Sequence, residues 1–217
     1  MFMRKTGPAV GLALLLAGAS PVWAETPADT LVIADKIDDI VSLDPAESFE
    51  FSGNDALNNI YDTLIELDPA NLGPLVPGLA TAWEVGEDGM TYTFTLRDDA
   101  SFHSGNPVTA EDAAWSLQRA VILNKTPSFI LTQFGFTPEN VTEKIQATGE
   151  HELTIVTDKP YAPSFFFNCL TAVVASVVDK TEAMANEADG DFGYEWLKTN
   201  SAGSGPYRLR QYRPSDN

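Results

Sequence analysis

The chain has 217 residues, of which 31 are Asp or Glu and 13 are Lys or Arg, giving a formal net charge of −18. So acidic a chain repels phosphate backbones, which excludes nucleic acid as an expected partner. Its single cysteine, Cys169, excludes an intramolecular disulfide and is expected to pack as a small apolar residue inside the run Phe165 to Val178.

Arg4 and Lys5 precede an apolar stretch from Ala9 to Ala19, and Val22-Trp23-Ala24 follows just before Glu25. That is the three-part layout of a secretory signal cleaved after Ala24. The stretch is shorter than the roughly 20 residues a membrane-spanning helix needs, and no basic stop-transfer flank follows it. Losing Arg4 and Lys5 would carry the net charge from −18 to −20. No cysteine lies at the cleavage site, so the expectation is a periplasmic protein that is not a lipoprotein.

Thr30-Leu31-Val32-Ile33-Ala34 reads as an opening strand. A loop from Ser42 to Gly53 follows, with Leu43-Asp44-Pro45 as its rigid start. Asn54 and Asp55 then cap a helix whose Leu57, Ile60, Tyr61 and Leu64 recur at helical spacing. Pro74, Pro77-Gly78 and the turn Glu87-Asp88-Gly89 punctuate the next stretch. Beyond that turn, Thr91-Tyr92-Thr93-Phe94-Thr95-Leu96-Arg97 alternates polar and apolar residues, as a half-buried hairpin strand does.

Thr109-Ala110-Glu111-Asp112 can cap a helix, with the Thr hydroxyl and the Asp carboxylate each meeting a free backbone N–H; Ala113, Ala114, Leu117 and Val121 would line one side. Lys144–Ala147 and Leu153–Val156 read as a second strand pair across Thr148-Gly149-Glu150. Phe165 to Val178 is a buried run whose periodicity leaves helix and strand both open. Asn200 to Pro206 has the composition of a flexible crossing segment, and the alternating Tyr207 to Tyr212 reads as a strand. The elements together make a mixed α/β chain without internal repeats.

Residues for catalysis are scarce. His103 and His151 are the only histidines and lack the paired spacing of a metal site. Ser204, between Gly203 and Gly205, lacks the strand-to-helix elbow of a hydrolase nucleophile, because Pro206 follows. Glu182, Glu187, Asp189 and Asp191 read as a solvated face, and no phosphate-cradling loop is present, so neither a cofactor nor ATP binding is expected. An exported hydrolase would need a nucleophile and base in reach of each other, and the sequence offers no such pairing.

Three linked blocks carry a resemblance: Pro77-Gly78-Leu79-Ala80-Thr81-Ala82-Trp83-Glu84, then Asp88 to Arg97, then Phe102-His103-Ser104-Gly105-Asn106-Pro107-Val108-Thr109-Ala110-Glu111-Asp112. In this order they resemble the family 5 solute-binding proteins, the dipeptide, oligopeptide and nickel receptors of ABC importers. Leu43-Asp44-Pro45 and Gly203-Ser204-Gly205-Pro206-Tyr207 extend the likeness over nearly the whole mature chain.

The resemblance implies a two-lobed α/β clamshell of the periplasmic-binding-protein type, closing by hinge motion. It implies that 25–62 begin the first lobe, 63–178 form a subdomain inserted in it, and 179–217 return to it, with the second lobe absent. It further implies no enzyme activity, a peptide or similar small solute as ligand, and delivery by a monomer to an inner-membrane permease with a cytosolic ATPase. Ser48, Phe49, Glu50, Phe51 and Phe129 fall where such proteins line the cleft, although Phe49 and Phe51 are equally readable as packing residues. Nickel, opine and oligosaccharide receptors of the family remain alternatives, as does a truncated product without function. The nickel reading is weakened because nickel-type members carry an arginine in the segment matching Phe165 to Val178, where this chain has none.

Overall fold

The computed structural model describes residues 26–213 apart from Pro69 and Leu72, so the signal sequence read at 1–24 lies outside the described residues. The chain divides into two compact units, 1–35 and 36–217. In the first, Thr30 N–H donates to the Pro27 carbonyl at 2.9 Å, and Leu31, Val32 and Ile33 are exposed. The strand expected at Thr30–Ala34 is not formed. Extended backbone is stabilised by a paired ladder, and no strand among the described residues pairs with this one.

The second unit opens with a loop leading to α1 (Phe51–Ile60). The helix starts earlier than Asn54 and Asp55 suggest, with Glu50 as N-cap, and it ends at Ile60, so that Leu57 and Ile60 are buried from its last turns while Leu64, expected on the same stripe, is buried beyond it. Two short strands, β1 (Ile65–Leu67) and β2 (Leu75–Pro77), pair antiparallel. Then β3 (Ala80–Val85) and β4 (Thr91–Leu96) form the expected hairpin, with Tyr92, Phe94 and Leu96 buried on one face as the alternation requires.

β5 (Ile145–Gly149) and β6 (Glu152–Val156) form the second hairpin, and β6 pairs with β4 to give a four-stranded antiparallel sheet in the order β3-β4-β6-β5. Across the inner face lies α2 (Ala110–Leu123), which packs on β5 and β6 through Ala113, Leu117, Ala120 and Val121. Its N-terminus is the expected capping box: Thr109 Oγ1 accepts from Asp112 N–H, and the Asp112 carboxylate accepts from Thr109 N–H at 3.1 Å. The short α3 (Phe129–Thr132) and α4 (Val141–Lys144) lie between α2 and β5.

The run Phe165 to Val178 resolves into α5 (Pro163–Cys169) and a 3-10 turn, Val173–Ala175. Phe166 stacks obliquely on Tyr92 with ring centroids 4.1 Å apart and meets Phe134 edge-to-face at 4.9 Å. Cys169 is only partly buried, though burial still pushes its thiol above the ordinary value. Last come α6 (Lys180–Ala185) and α7 (Tyr194–Leu197).

Two apolar clusters result. One is drawn almost wholly from residues 64–177, between the sheet, α2 and α5. The other gathers Leu43, Leu57, Ile60 and Tyr61 from the start of the unit with Val178, Ala183, Leu197 and Ala202 from its end.

That junction explains the glycines of the crossing segment. A Cβ on Gly203 would strike the Ile60 carbonyl oxygen, and Gly205 N–H donates to the same oxygen at 2.9 Å. His103 adds a second tie, its Nε2 lying 2.8 Å from the Gly205 carbonyl. Ser204 donates to Asp62 at 2.8 Å, so its hydroxyl is a structural link. The segment expected to be flexible is thus pinned. Tyr207–Tyr212, by contrast, forms no strand, again for want of a paired neighbour among the described residues.

Candidate functional site

The loop before α1 is built around one carboxylate. Asp44 is fully buried; its Oδ1 accepts from Ala46 N–H at 2.9 Å, and its main-chain carbonyl accepts from Glu47 and Ser48 N–H. The Arg119 guanidinium on α2 grips it with both terminal nitrogens, at 2.8 and 2.5 Å, while Arg119 Nε donates to the Phe192 carbonyl at 2.8 Å. Arg119 is itself only 2% exposed. An isolated charge at such depth would be costly, but here each guanidinium nitrogen has an acceptor and both carboxylate oxygens are met by N–H groups of that one cation. The pair therefore pins the loop before α1 against α2.

Glu47 is held next, its Oε1 accepting from the Tyr194 hydroxyl at 2.7 Å. Lys125 and Lys198 lie over the Tyr194 ring, 4.0 and 4.6 Å from its centroid. With both anchors in place, Ser48 is buried while Phe49 is turned outward. Gly53 permits this fold-back, since a Cβ there would fall on the Ser48 hydroxyl oxygen.

Of the residues expected to line a cleft, the structure brings three together. Phe49 and Phe129, both about half exposed, meet edge-to-face with centroids 5.7 Å apart and planes at 86°. Ser48 and Phe49 line a cavity of about 170 Å³ whose opposite wall is Pro127, Ile130 and Val173-Val174. Glu50 stands beside it, but its carboxylate turns back to accept from the Ser48 hydroxyl at 3.2 Å and from Phe49 N–H at 3.0 Å. Phe51, at the first turn of α1, is 90% exposed and does not line the cavity.

Sequence reading missed Asn54 and Asn58, which line the same cavity from α1. Their spacing of four puts them on one helix face, a signal masked once Asn54 is taken for a cap. Thr171 to Val174 was also missed, hidden inside an apolar run. Asn54 Oδ1 is buried without a hydrogen-bond partner, whereas Ser48 has its hydroxyl engaged.

A larger hollow of about 640 Å³ lies beside Asp112, Asp179 and Lys180 at the start of α6. Its carboxylates already serve the fold. Asp179 accepts from the Ser104 hydroxyl at 2.6 Å, from Asn106 Nδ2 at 2.9 Å and from Glu182 N–H at 3.0 Å. Asp112 accepts from Lys180 N–H as well as from Thr109, and burial raises its carboxyl above the ordinary range despite those bonds. Asp191, expected on a solvated face, instead accepts from the N–H groups of Ala188, Gly193 and Glu195 and shapes the entry to α7. No group of three or more His, Cys, Asp or Glu among the described residues is placed to hold a metal ion. No helix among them is long and apolar enough to cross a membrane.

Comparison with known proteins gives a consistent outcome. Residues 74–217 match the family described as "Bacterial extracellular solute-binding proteins, family 5 Middle". The chain is 33% identical over 206 residues to the "Probable D,D-dipeptide-binding periplasmic protein DdpA" of Escherichia coli K12, covering 93% of this chain and 37% of that protein. It is 30% identical over 221 residues to the periplasmic murein peptide-binding protein MppA of the same organism, covering 92% and 38%. The solved structure of Burkholderia pseudomallei OppA superposes with a TM-score of 0.65 at 27% identity, over 81% of this chain and 34% of that one. The chain spans less than two fifths of the length of these relatives.

Proposed function

Because the chain belongs to the bacterial extracellular solute-binding proteins of family 5, we propose that it supplies the first lobe of a peptide receptor serving an ABC importer. The observation that carries this reading is the aromatic-rimmed cavity at the Ser48–Phe49 loop. Ligand sites combine apolar walls with a few fixed polar groups, and this one joins Phe49, Ile130 and Val174 to Asn54 and Asn58. The Phe49–Phe129 pair forms its lip, where exposed aromatic rings can pack on a ligand side chain.

On this reading Ser48 and Glu50 shape the lip, with the Glu50 carboxylate holding the loop rather than meeting ligand. Phe51, exposed at the first turn of α1, would be covered by ligand or by an opposing lobe. The first lobe is made of 25–62 and 179–217 and carries an inserted subdomain, 63–178, a division supported by the two apolar clusters except at Ala46, Val173 and Val178, which pack across it. Binding rather than catalysis is the activity, and the partners are a membrane permease and its ATPase. Names of relatives such as the murein peptide-binding protein favour peptides over other small solutes.

Calorimetric titration of the full-length protein with a panel of di- and tripeptides tests the reading. Micromolar or tighter binding of at least one peptide, weakened in Phe49→Ala, is expected. Binding of no peptide at all, or equal affinity in wild type and Phe49→Ala, would sink it.

A further inference from the structure

Asn54 lines the cavity under Phe49, and among the cavity's lining side chains it holds the one buried polar atom without a partner in the protein. Asn54 Oδ1 is buried and accepts no hydrogen bond, although the residue's own backbone N–H is paired with the Glu50 carbonyl at 2.9 Å. Its neighbours do not supply the missing donor. The Ser48 hydroxyl is committed to Glu50, and Pro127, Ile130, Val173 and Val174 present apolar side chains to the space. A buried carbonyl-type oxygen left without a donor is destabilising, and such atoms are few in folded proteins. Because Asn54 lines a cavity, a turn of its amide toward a donor that enters the space relieves that atom.

We infer that Asn54 Oδ1 accepts a hydrogen bond from an N–H group of the bound ligand, making Asn54 a specificity-determining residue that selects amide- or amine-bearing solutes over esters and carboxylates of similar shape. The inference rests on the cavity being the ligand site proposed above, and it adds which ligand group is read there. The geometry divides the work between two kinds of contact. Phe49, Ile130 and Val174 take an apolar group by contact area, which discriminates weakly among apolar shapes. Asn54 reads the chemistry beside that group, and a site with a buried acceptor rejects a ligand lacking the donor much more strongly than it rejects one of slightly wrong size. Asn58, one turn along α1, lies at the same wall, but it is exposed and water can meet its needs.

The test uses the full-length protein, the tripeptide Ala-Leu-Ala, and analogues in which each N–H group in turn is replaced: the ammonium by hydrogen and each amide N–H by an ester oxygen. In wild type, one analogue is expected to bind about tenfold more weakly than the parent beyond the loss shown by the others, the size of one net hydrogen bond to an otherwise unpaired acceptor. That extra loss should vanish in Asn54→Leu, which keeps the side chain's volume and removes the acceptor. Asn54→Asp, which keeps an acceptor oxygen in the same place, should retain it and carries the test if the leucine variant does not fold. Equal losses in wild type and Asn54→Leu for every analogue overturn the inference while leaving the peptide-receptor reading intact, because the parent peptide still binds. Loss of the discrimination in Asn54→Asp also overturns it, since that would mean the side-chain nitrogen, acting as donor, is the group the ligand meets. If wild type binds neither Ala-Leu-Ala nor any peptide of the panel, the receptor reading falls and this inference falls with it.

Discussion

Arg119→Met keeps the apolar stem of the side chain and removes the guanidinium, so it isolates the charge from the packing. What it leaves behind is Asp44, fully buried, with the Ala46 N–H as its remaining donor and two oxygens that had been met by Arg119 at 2.8 and 2.5 Å. Breaking a buried pair from one side costs about 3–5 kcal/mol, since the surviving charge has no solvent to turn to. For a chain of this size each kcal/mol moves Tm by about 2–4 °C, so a fall of roughly 6–20 °C is expected. Asp44→Asn should cost less than Arg119→Met, because the guanidinium keeps the Phe192 carbonyl and the face of Trp115, 5.7 Å away. The double variant should lose less than the sum of the singles by more than about 1 kcal/mol, the sign of direct coupling. Urea unfolding of the four proteins followed by circular dichroism measures the cycle. Additive losses, or an Arg119→Met protein within 1 kcal/mol of wild type, would refute the view that this ion pair holds the loop.

Gly203→Ala sets a methyl group against the Ile60 carbonyl oxygen, and a loss of about 1–3 kcal/mol in urea unfolding is expected; an unchanged midpoint would show that the segment yields freely. Phe129→Ala removes an edge-to-face partner that is half exposed, so stability should fall by only about 0.5–1.5 kcal/mol, read from the same unfolding curves, while peptide affinity in a calorimeter falls with it. Burial holds the Asp112 carboxyl above its ordinary value of 3.8, so its ionisation opposes folding. Its contribution is therefore most favourable below that value and is lost as pH rises through the higher folded one. Relative to Asp112→Asn, the wild type should lose Tm as pH is raised from 3.8 in a thermal scan series, and a difference independent of pH would contradict this.

The hairpins and α2 were legible because their signals are local. Tyr92, Phe94 and Leu96 alternate, and Thr109 with Asp112 closes a capping box within four residues. Thr30–Ala34 and Tyr207–Tyr212 carry equally plain strand composition yet stay unpaired, since a strand needs a neighbour that no stretch of its own sequence announces. In the candidate site, Ser48, Phe49 and Phe129 were found through family likeness, not through any pattern. Asn54 was read as a cap because Asn before an apolar helical stripe usually is one. The Arg119–Asp44 pair was invisible for a different reason: the partners lie 75 residues apart, and burial is what makes either of them important.

The second apolar cluster has an order of assembly written into it. A chain lengthening from its N-terminus has every residue of the 64–177 core on hand once Val177 is available. The buried face of α1 has Leu43 and Val173 beside it by then but is completed only later. Tyr61 must wait for Ala202, whose N–H reaches its hydroxyl across 141 residues, and Leu57 waits for Leu197. Until that closure, Leu57, Ile60 and Tyr61 stand open as an adhesive patch for chaperones or for another chain. The glycine-rich 203–205, arriving after all of these, is thus the clasp that closes over α1.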